Sequence, residues 1–314
     1  MAVALVFPGQ GSQSLGMMAA MAARFPLVAS CFAQASAALD LDLWELVSAG
    51  PVERLNMTEF TQPVMLAAGV ATFRIWREAG GAAPDVVSGH SLGEFTALTC
   101  AEALPFEAAV RLVHARGQIM QRAVRSGEGA MAAILGLADD AQVEGICAEA
   151  AQGQVVEAVN FNAPAQVVIA GHTAAVERAM QLATARGAKR VLRLPVSVPA
   201  HSSLLRAASS ELERILTPLP VSKPRYRYVS AMDAREHDDP NDIRATLVRQ
   251  LASPVRWTDT VRALLALTPT LIECGPGKVL TGLNRRIERG AQYFALEDPE
   301  SLTAALAATG AARG

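Results

Sequence analysis

The chain has 314 residues, of which 51% are hydrophobic and 18% are charged. This composition supports a large buried core and excludes a disordered tail or linker. Lysine and arginine total 28 against 30 for aspartate and glutamate, and no long block carries one sign, so nucleic-acid binding has no electrostatic basis.

Three features of the sequence favour the cytoplasm. Residues 1–7 are apolar but lack a preceding basic residue, which favours a buried strand over a secretory signal. The most apolar later stretch, residues 63–73, is shorter than the roughly 18 to 20 residues of a membrane span. The four cysteines are widely spaced and form no CxxC pair, which argues against a disulfide framework and a zinc site. We therefore expect a cytoplasmic protein with no membrane segment and no metal.

In chain order, short β-rich apolar runs alternate with helical patterns, which is typical of an α/β fold with a mostly parallel sheet. The best-marked helix is predicted over Gln62–Ala79, with Pro63 in its first turn and Gly80 as its stop. The strands predicted outside the middle third are Val3–Phe7, Val86–Ser88, Tyr228–Ser230, Thr270–Glu273 and Tyr293–Ala295.

The middle third of the chain has the order β-α-β-β-α-β, which is that of a ferredoxin-like unit. We therefore predict a ferredoxin-like subdomain over residues 126–198, inserted into a main domain of residues 1–125 and 199–314. A cleft between two such units is a common place for a ligand. The predicted elements are strands Met131–Leu135, Val155–Asn160, Gln166–Ala170 and Arg190–Leu194, and helices Asp140–Ala150 and Ala174–Arg186.

The strongest local signal is Gly89-His90-Ser91-Leu92-Gly93, between a predicted strand and a helix. Strand, tight glycine turn and helix form the context of a nucleophile elbow, which predicts an α/β-hydrolase-like main domain with the serine above the carboxyl end of its sheet. Backbone N–H groups at the start of the helix can then stabilise an oxyanion. The alternative interpretation is a glycine-rich turn with an incidental serine.

A serine nucleophile needs a base, and the chain has five histidines. His201 is the best placed, because it lies where the predicted subdomain returns to the main domain, at the rim of the cleft. The other four have positions that favour structural roles: His90 adjoins Ser91, and His114, His172 and His237 lie in or beside predicted helices and an acidic stretch.

Six segments, in order along the chain, carry a more specific signal: residues 7–13 (FPGQGSQ), 89–94 (GHSLGE), 116–117 (RG), 160–162 (NFN), 198–202 (VPAHS), and Gln250 with 254–257 (PVRW). Together they resemble the malonyl-CoA:acyl carrier protein transacylases of bacterial type II fatty-acid synthesis. They are also similar to the acyltransferase domains of polyketide synthases, although a free-standing chain of this length fits the discrete transacylase better.

The resemblance implies a role for each matching residue. Ser91 would be acylated and His201 would be its base, while Gln250 would orient His201 through a hydrogen bond in place of the usual aspartate. A neutral partner of this kind can hold an imidazole tautomer without adding a charge. The backbone N–H groups of Gln10 and Leu92 would form the oxyanion hole.

The resemblance also implies the acyl group. Arg116 would bind the free carboxylate of a malonyl group, since a fixed guanidinium suits a carboxylate; the alternative for Arg116 is a solvated position on its helix. Ala200 stands where related malonyl-specific domains often carry phenylalanine, which leaves discrimination against methylmalonyl open. Asn160 and Asn162 match positions near the entrance of the site, and turn formation explains them equally well.

The expected reaction is a ping-pong transfer of malonyl from malonyl-CoA to the phosphopantetheine thiol of acyl carrier protein, with no metal or other cofactor. Because such carriers are acidic, a local basic patch would dock one. Its candidates, for which scattered solvated charges are an equal alternative, are Lys189, Arg190, Arg193, Lys278, Arg285, Arg286 and Arg289.

Three other functions stay open from the sequence. A serine hydrolase or thioesterase would share the elbow but pass the acyl group to water, and would ordinarily have an acid between serine and histidine in the chain. The acyltransferase subunit of a malonate-metabolising complex would use the same residues with another carrier. A catalytically inactive module that only binds the carrier protein is opposed by the intact Ser91 and His201.

Overall fold

A computed structural model describes residues 2–125, 127–196 and 198–310 of the chain. Residue 126, where the predicted subdomain begins, therefore lies outside the described residues. The strands are β1 Ala4–Phe7, β2 Val86–Gly89, β3 Gly129–Leu135, β4 Val156–Ala163, β5 Gln166–His172, β6 Arg190–Arg193, β7 Arg227–Tyr228, β8 Thr270–Glu273 and β9 Gln292–Ala295.

Helices separate most of these strands. They are α1 Ala19–Arg24, α2 Leu27–Leu39, α3 Leu43–Ser48, α4 Val52–Leu55, α5 Thr58–Glu78, α6 Gly93–Cys100, α7 Phe106–Ala123, α8 Asp140–Ala151, α9 Thr173–Ala185, α10 Arg206–Leu216, α11 Pro240–Gln250, α12 Trp257–Leu265, α13 Val279–Ile287 and α14 Pro299–Thr309. Within the described ranges, no helix combines the length and the hydropathy needed to cross a membrane.

One sheet of the structure has five parallel strands in the order β7-β2-β1-β8-β9. Its central strand β1 is completely buried, and so are β2 and β8 on either side. Strands covered on both faces are mostly apolar, which explains the short apolar runs in the sequence. The prediction of an α/β fold with a mostly parallel sheet is confirmed.

A separate four-stranded antiparallel sheet has the order β4-β5-β3-β6. One face packs on α8 and α9 around Ile134 and Ile169. The opposite face carries Met131 and Val168, against which Ala200 of the main domain packs. The sheet therefore presents an apolar face to the segment that contains His201.

The antiparallel sheet is also tied to the segment that follows α11 by backbone hydrogen bonds. Val255 donates from its N–H to the carbonyl of Val159 at 2.8 Å, and its own carbonyl accepts from the N–H of Phe161 at 2.9 Å. These bonds hold β4 beside the segment that follows α11. Asn160 and Asn162 lie on this tethered part of β4.

Most predicted elements differ from the structure by a few residues at one end, and two of the differences have a clear physical reason. Helix α5 begins at Thr58, a full turn before the predicted start at Gln62, so Pro63 lies inside it. A proline has no N–H for the carbonyl four residues earlier, and that carbonyl, of Glu59, instead accepts a hydrogen bond from His114 Nδ1 at 2.8 Å. The strand predicted over Tyr228–Ser230 is Arg227–Tyr228, because beyond it the chain turns back in an isolated bridge.

Candidate active site

Ser91 lies on a sharp turn between β2 and α6, with a left-handed φ of 52°. The glycines around it are required by close backbone approach. A Cβ added to Gly89 would lie 2.0 Å from the carbonyl carbon of Gly93, and one added to Gly93 would lie 2.0 Å from the carbonyl oxygen of Phe7. Only hydrogen atoms fit at both positions, so the turn can press against β1 and raise Ser91 above the sheet.

His201 faces Ser91 with one ring nitrogen and the main chain with the other. Its Nε2 lies 2.7 Å from Ser91 Oγ, and its Nδ1 lies 2.9 Å from the carbonyl oxygen of Gln250 and 3.1 Å from that of Ser253. A carbonyl only accepts hydrogen bonds, so Nδ1 carries the proton and the lone pair of Nε2 faces the hydroxyl. This is the tautomer that a base for Ser91 needs.

His201 is buried, with 3% of its surface exposed. Burial, and after it the charge of Arg116, lower the pKa of His201 to about 3. The imidazole is therefore neutral at physiological pH and free to accept a proton.

The hydrogen bond between Gln250 and His201 comes from the Gln250 main-chain carbonyl, and the Gln250 side chain bonds to other groups. Its amide Nε2 donates to the carbonyl oxygen of Ser91 at 2.9 Å and to Glu94 Oε1 at 2.8 Å. Its Oε1 accepts from Arg116 Nη2 at 3.0 Å. The orienting role expected of Gln250 stays a prediction; in the structure its main-chain carbonyl faces His201 Nδ1, and its side chain connects the elbow to Arg116.

Arg116 points into the interior from α7, with only 1% of its surface exposed. Its Nη1 donates to Gln62 Oε1 at 2.9 Å, and its Nη2 lies 3.4 Å from Ser91 Oγ. The guanidinium carbon lies 5.2 Å from the centre of the Phe95 ring, and Nε has no hydrogen-bond partner among the described residues. Burial lowers the pKa of Arg116 to about 10, and the charge of Glu94 opposes that effect.

A cavity of about 260 Å³ opens in front of these groups. One wall comes from the elbow, the Gln10 loop and α7, and the other from the antiparallel sheet and the segment after β6. Its lining residues are Gln10, Gly11, Gln13, Asn56, Thr58, His90, Ser91, Arg116, Met120, Met131, Asn160, Leu194, Pro195, Val196, Val198, Ala200 and His201.

The other predicted site residues lie around this cavity or directly behind it. Gln10 and Ala200 line it, and Leu92 is the residue immediately before α6. Asn160 also lines it, with an Oδ1 that has no partner among the described residues. Asn162 Oδ1 lies 2.8 Å from Nε2 of His90, so this asparagine holds the side chain next to the elbow.

The seven basic residues proposed for docking are all exposed. Several already have partners: Arg193 pairs with Glu177 at 2.6 Å and Lys278 with Glu297 at 2.9 Å. Exposed ion pairs of this kind contribute little to the stability of the fold, so their members can exchange partners.

Sequence reasoning missed three buried residues at the site. Gln62 and Glu94 contact Arg116 and Gln250, and the Tyr228 hydroxyl donates to Glu94 Oε2. Glu94 had a signal, since a carboxylate beside the elbow motif in an otherwise apolar helix is unusual. Tyr228 had none, because 134 residues separate it from its partner.

An elbow serine, a neutral histidine and a buried guanidinium around one cavity are the parts of an acyl-serine enzyme. The comparison with known families agrees, because residues 4–289 match the model of the acyl transferase domain.

Individual relatives narrow the class. The chain is 52% identical to the malonyl CoA-acyl carrier protein transacylase of Escherichia coli (strain K12), over 96% of this chain and 98% of that protein. It superimposes on the transacylase of the same name from Coxiella burnetii with a TM-score of 0.96 and 46% identity, over 98% and 97% of the two chains. A malonyl-transacylase solved in complex with its type II polyketide acyl-carrier protein superimposes with a TM-score of 0.96 and 49% identity, over 98% of this chain and 100% of that chain. The chain belongs to the family of malonyl CoA-acyl carrier protein transacylases.

Proposed function

We propose that this chain transfers a malonyl group from malonyl-CoA to the phosphopantetheine thiol of acyl carrier protein, through a malonyl ester of Ser91, and so supplies fatty-acid synthesis. The observation that carries the proposal is the juxtaposition of Ser91 Oγ with His201 Nε2 at 2.7 Å and with Arg116 Nη2 at 3.4 Å. A nucleophile with a base on one side and a buried cation on the other suits an acyl group that ends in a carboxylate.

In the first half-reaction, His201 Nε2 accepts the Ser91 proton while Oγ attacks the thioester carbonyl of malonyl-CoA. The carbonyl π pair moves onto oxygen, giving a tetrahedral oxyanion that accepts hydrogen bonds from the N–H groups of Gln10 and Leu92. A close approach supports this pairing: a Cβ added to Gly9 would lie 3.7 Å from the Leu92 nitrogen, so the Gln10 loop packs on the elbow. When the C–S bond breaks, the imidazolium protonates the departing coenzyme A thiolate.

In the second half-reaction the phosphopantetheine thiol occupies the place that coenzyme A left. His201 accepts the thiol proton, sulfur attacks the ester carbonyl of malonyl-Ser91, and the C–O bond breaks. The serine oxygen then recovers a proton from the imidazolium, which leaves Ser91 and His201 as they began. Each step uses only the two substrates and the side chains and main-chain N–H groups of this protein, and we propose that no cofactor or metal takes part.

We also propose roles for residues at the edge of the site and a finer description of the fold. Asn160, Asn162 and Ala200 are substrate-binding residues near the cavity entrance. Asn160 and Ala200 line the cavity, and Asn162 hydrogen-bonds to His90, which also lines it. Residues 126–198 form an inserted ferredoxin-like subdomain, supported by the strand order β4-β5-β3-β6 with two helices on one face. Residues 1–125 and 199–314 form an α/β-hydrolase-like main domain, supported by the parallel sheet and its elbow.

The proposed docking surface for acyl carrier protein is the set of exposed basic residues introduced above. A carrier with acidic helices would exchange partners with pairs such as Arg193–Glu177. A cytoplasmic location is part of the proposal and is supported by the four buried cysteines, each of which is unpaired.

A serine hydrolase is the second candidate, favoured by the Ser91–His201 pair, which would serve water as well as a thiol. Arg116 favours transfer of a charged acyl group, and the largely apolar wall of Met131, Leu194, Val196 and Val198 disfavours an ordered water near the ester.

The test is to incubate the protein with malonyl-CoA, quench, and measure intact mass and the modified peptide, with Ser91→Ala beside it. Ser14→Ala, a change of an exposed serine, is the matched control. We expect a malonyl adduct on Ser91 that is absent in Ser91→Ala, kept in Ser14→Ala, and discharged by acyl carrier protein. Continuous release of coenzyme A without a carrier would instead establish a hydrolase.

A further inference from the structure

Glu94 is a buried carboxylate that the proposed reaction steps do not use. It lies in the first turn of α6, three residues after Ser91, and none of its surface is exposed. Burial raises its pKa, while hydrogen bonds from Tyr228 and Gln250 lower it. A carboxylate in such a place needs full hydrogen bonding to be tolerated, and each of its oxygens has a donor: Gln250 Nε2 for Oε1 and the Tyr228 hydroxyl for Oε2.

The direction of the Gln250 amide depends on this carboxylate. Its Nε2 faces two groups that only accept, Glu94 Oε1 at 2.8 Å and the carbonyl oxygen of Ser91 at 2.9 Å. If the amide turned over, its oxygen would face both acceptors and its N–H groups would face the guanidinium of Arg116. With Glu94 in place, the Gln250 oxygen must point at Arg116.

That oxygen is one of two fixed acceptors for the guanidinium. Arg116 Nη2 donates to Gln250 Oε1 at 3.0 Å and Nη1 donates to Gln62 Oε1 at 2.9 Å, while the ring of Phe95 lies against the group. Two acceptors on different nitrogens define the orientation of a planar fork, and one acceptor leaves it free to rotate. The link from Glu94 through Gln250 therefore sets where the remaining N–H groups of Arg116 point.

We propose that Glu94 is a positioning residue for Arg116, acting through the Gln250 side chain, and that it thereby sets the preference of this site for acyl groups that end in a carboxylate. The proposal rests on the proposed function, because it takes Arg116 as the receptor of the malonyl carboxylate. It assigns Glu94 no contact with substrate.

The test compares two variants of Glu94 by their rates of Ser91 acylation with malonyl-CoA and with acetyl-CoA. Glu94→Met keeps the length of the side chain but removes both acceptor oxygens, whereas Glu94→Gln keeps an oxygen for Gln250 and can donate to the Tyr228 oxygen. We expect Glu94→Met to lower the ratio of malonyl to acetyl rates by about 10- to 100-fold, and Glu94→Gln to restore most of it. Glu107→Met, at an exposed glutamate of α7, is the control that keeps the wild-type ratio.

A double variant with Arg116→Ala separates positioning from general damage. Once Arg116 is absent, Glu94→Met should not change the ratio of malonyl to acetyl rates further, because the effects of mutations at coupled residues are not additive. Equal losses of both rates with an unchanged ratio would overturn the proposal, as would Glu94→Gln behaving like Glu94→Met.

Thermal unfolding shows which variants fold. Should Glu94→Met not fold, Gln250→Met breaks the same link one residue later while keeping the main-chain carbonyl for His201, and an unchanged ratio there also overturns the proposal. Absence of any malonyl adduct on the wild-type protein would refute the proposed function itself, which is a separate result.

Discussion

Replacing Arg116 by alanine tests how this site would select its acyl group. The guanidinium has five N–H groups, of which two are held by Gln62 and Gln250 at 2.9 and 3.0 Å. A third is on Nη2, which lies 3.4 Å from Ser91 Oγ. Two of the N–H groups that neither amide holds can bind a substrate carboxylate as a fork. Each charge-assisted hydrogen bond contributes about 1.5–3 kcal/mol, so losing two costs about 3–6 kcal/mol, or about 10²- to 10⁴-fold in the rate constant.

We therefore expect Arg116→Ala to lower the second-order rate constant for malonyl loading of Ser91 by about 10²- to 10⁴-fold. Loading by acetyl-CoA should stay equal or increase, because a neutral acyl group leaves the buried cation unpaired in the wild-type protein. The assay is rapid quench followed by intact mass, with each thioester in turn.

The matched control is Arg111→Ala, which removes an exposed arginine from the same helix and should change neither rate. A folded Arg116→Ala protein that loads malonyl at the wild-type rate would refute this reasoning. So would one in which malonyl and acetyl loading fall together.

Three further predictions follow from the same structure. Because the pKa of His201 is held at about 3, the rate constant for loading of Ser91 at low malonyl-CoA should not fall to half its maximum near pH 6.5, the ordinary imidazole value. A titration of that rate constant centred near pH 6.5 would contradict the lowered pKa of His201. Gly93→Ala places a methyl group 2.0 Å from the Phe7 carbonyl oxygen, so it should lower both the melting temperature and the rate of malonyl loading. Gly145→Ala is its control, because Gly145 lies in open space on α8; this change should raise the free energy of unfolding in urea by about 0.5–1 kcal/mol. Although burial lowers the pKa of His237, hydrogen bonds to two carboxylates raise it overall. Its contribution to the free energy of unfolding is therefore complete below pH 6.5 and is lost as the pH rises through the raised pKa. His237→Gln should reduce the free energy of unfolding more at pH 6 than at pH 9, and an equal loss at the two pH values would count against this.

The elbow and its base could be predicted because their chemistry is local or positional. Gly89 and Gly93 bracket Ser91 within five residues, and the order of elements places His201 shortly after β6, the last strand of the antiparallel sheet. Because that sheet forms a wall of the cavity, chain order alone indicates the neighbourhood of His201.

The groups that hold Arg116 could not be predicted from the residues alone. Gln62 lies 54 residues before it and Gln250 lies 134 residues after it, and neither belongs to a local motif that encodes the contact. The apolar residues around Arg116 on its helix predict a buried helix face, but they do not predict that an arginine side chain lies on that face. The hydrogen bond from Gln250 to His201 comes from the main chain, which any residue type can supply, so its side chain gave no information about that bond.

The choice of neutral partners for Arg116 bears on how a carboxylate could be selected. A direct ion pair with a carboxylate of the protein would stabilise the empty site, and substrate would then have to displace it. Gln62 and Gln250 instead satisfy part of the guanidinium without neutralising it. The charge of Glu94 lies on the far side of the Gln250 amide, where it offsets some of the cost of burying Arg116. In the proposed reaction, the acyl group itself supplies the carboxylate that completes the pair.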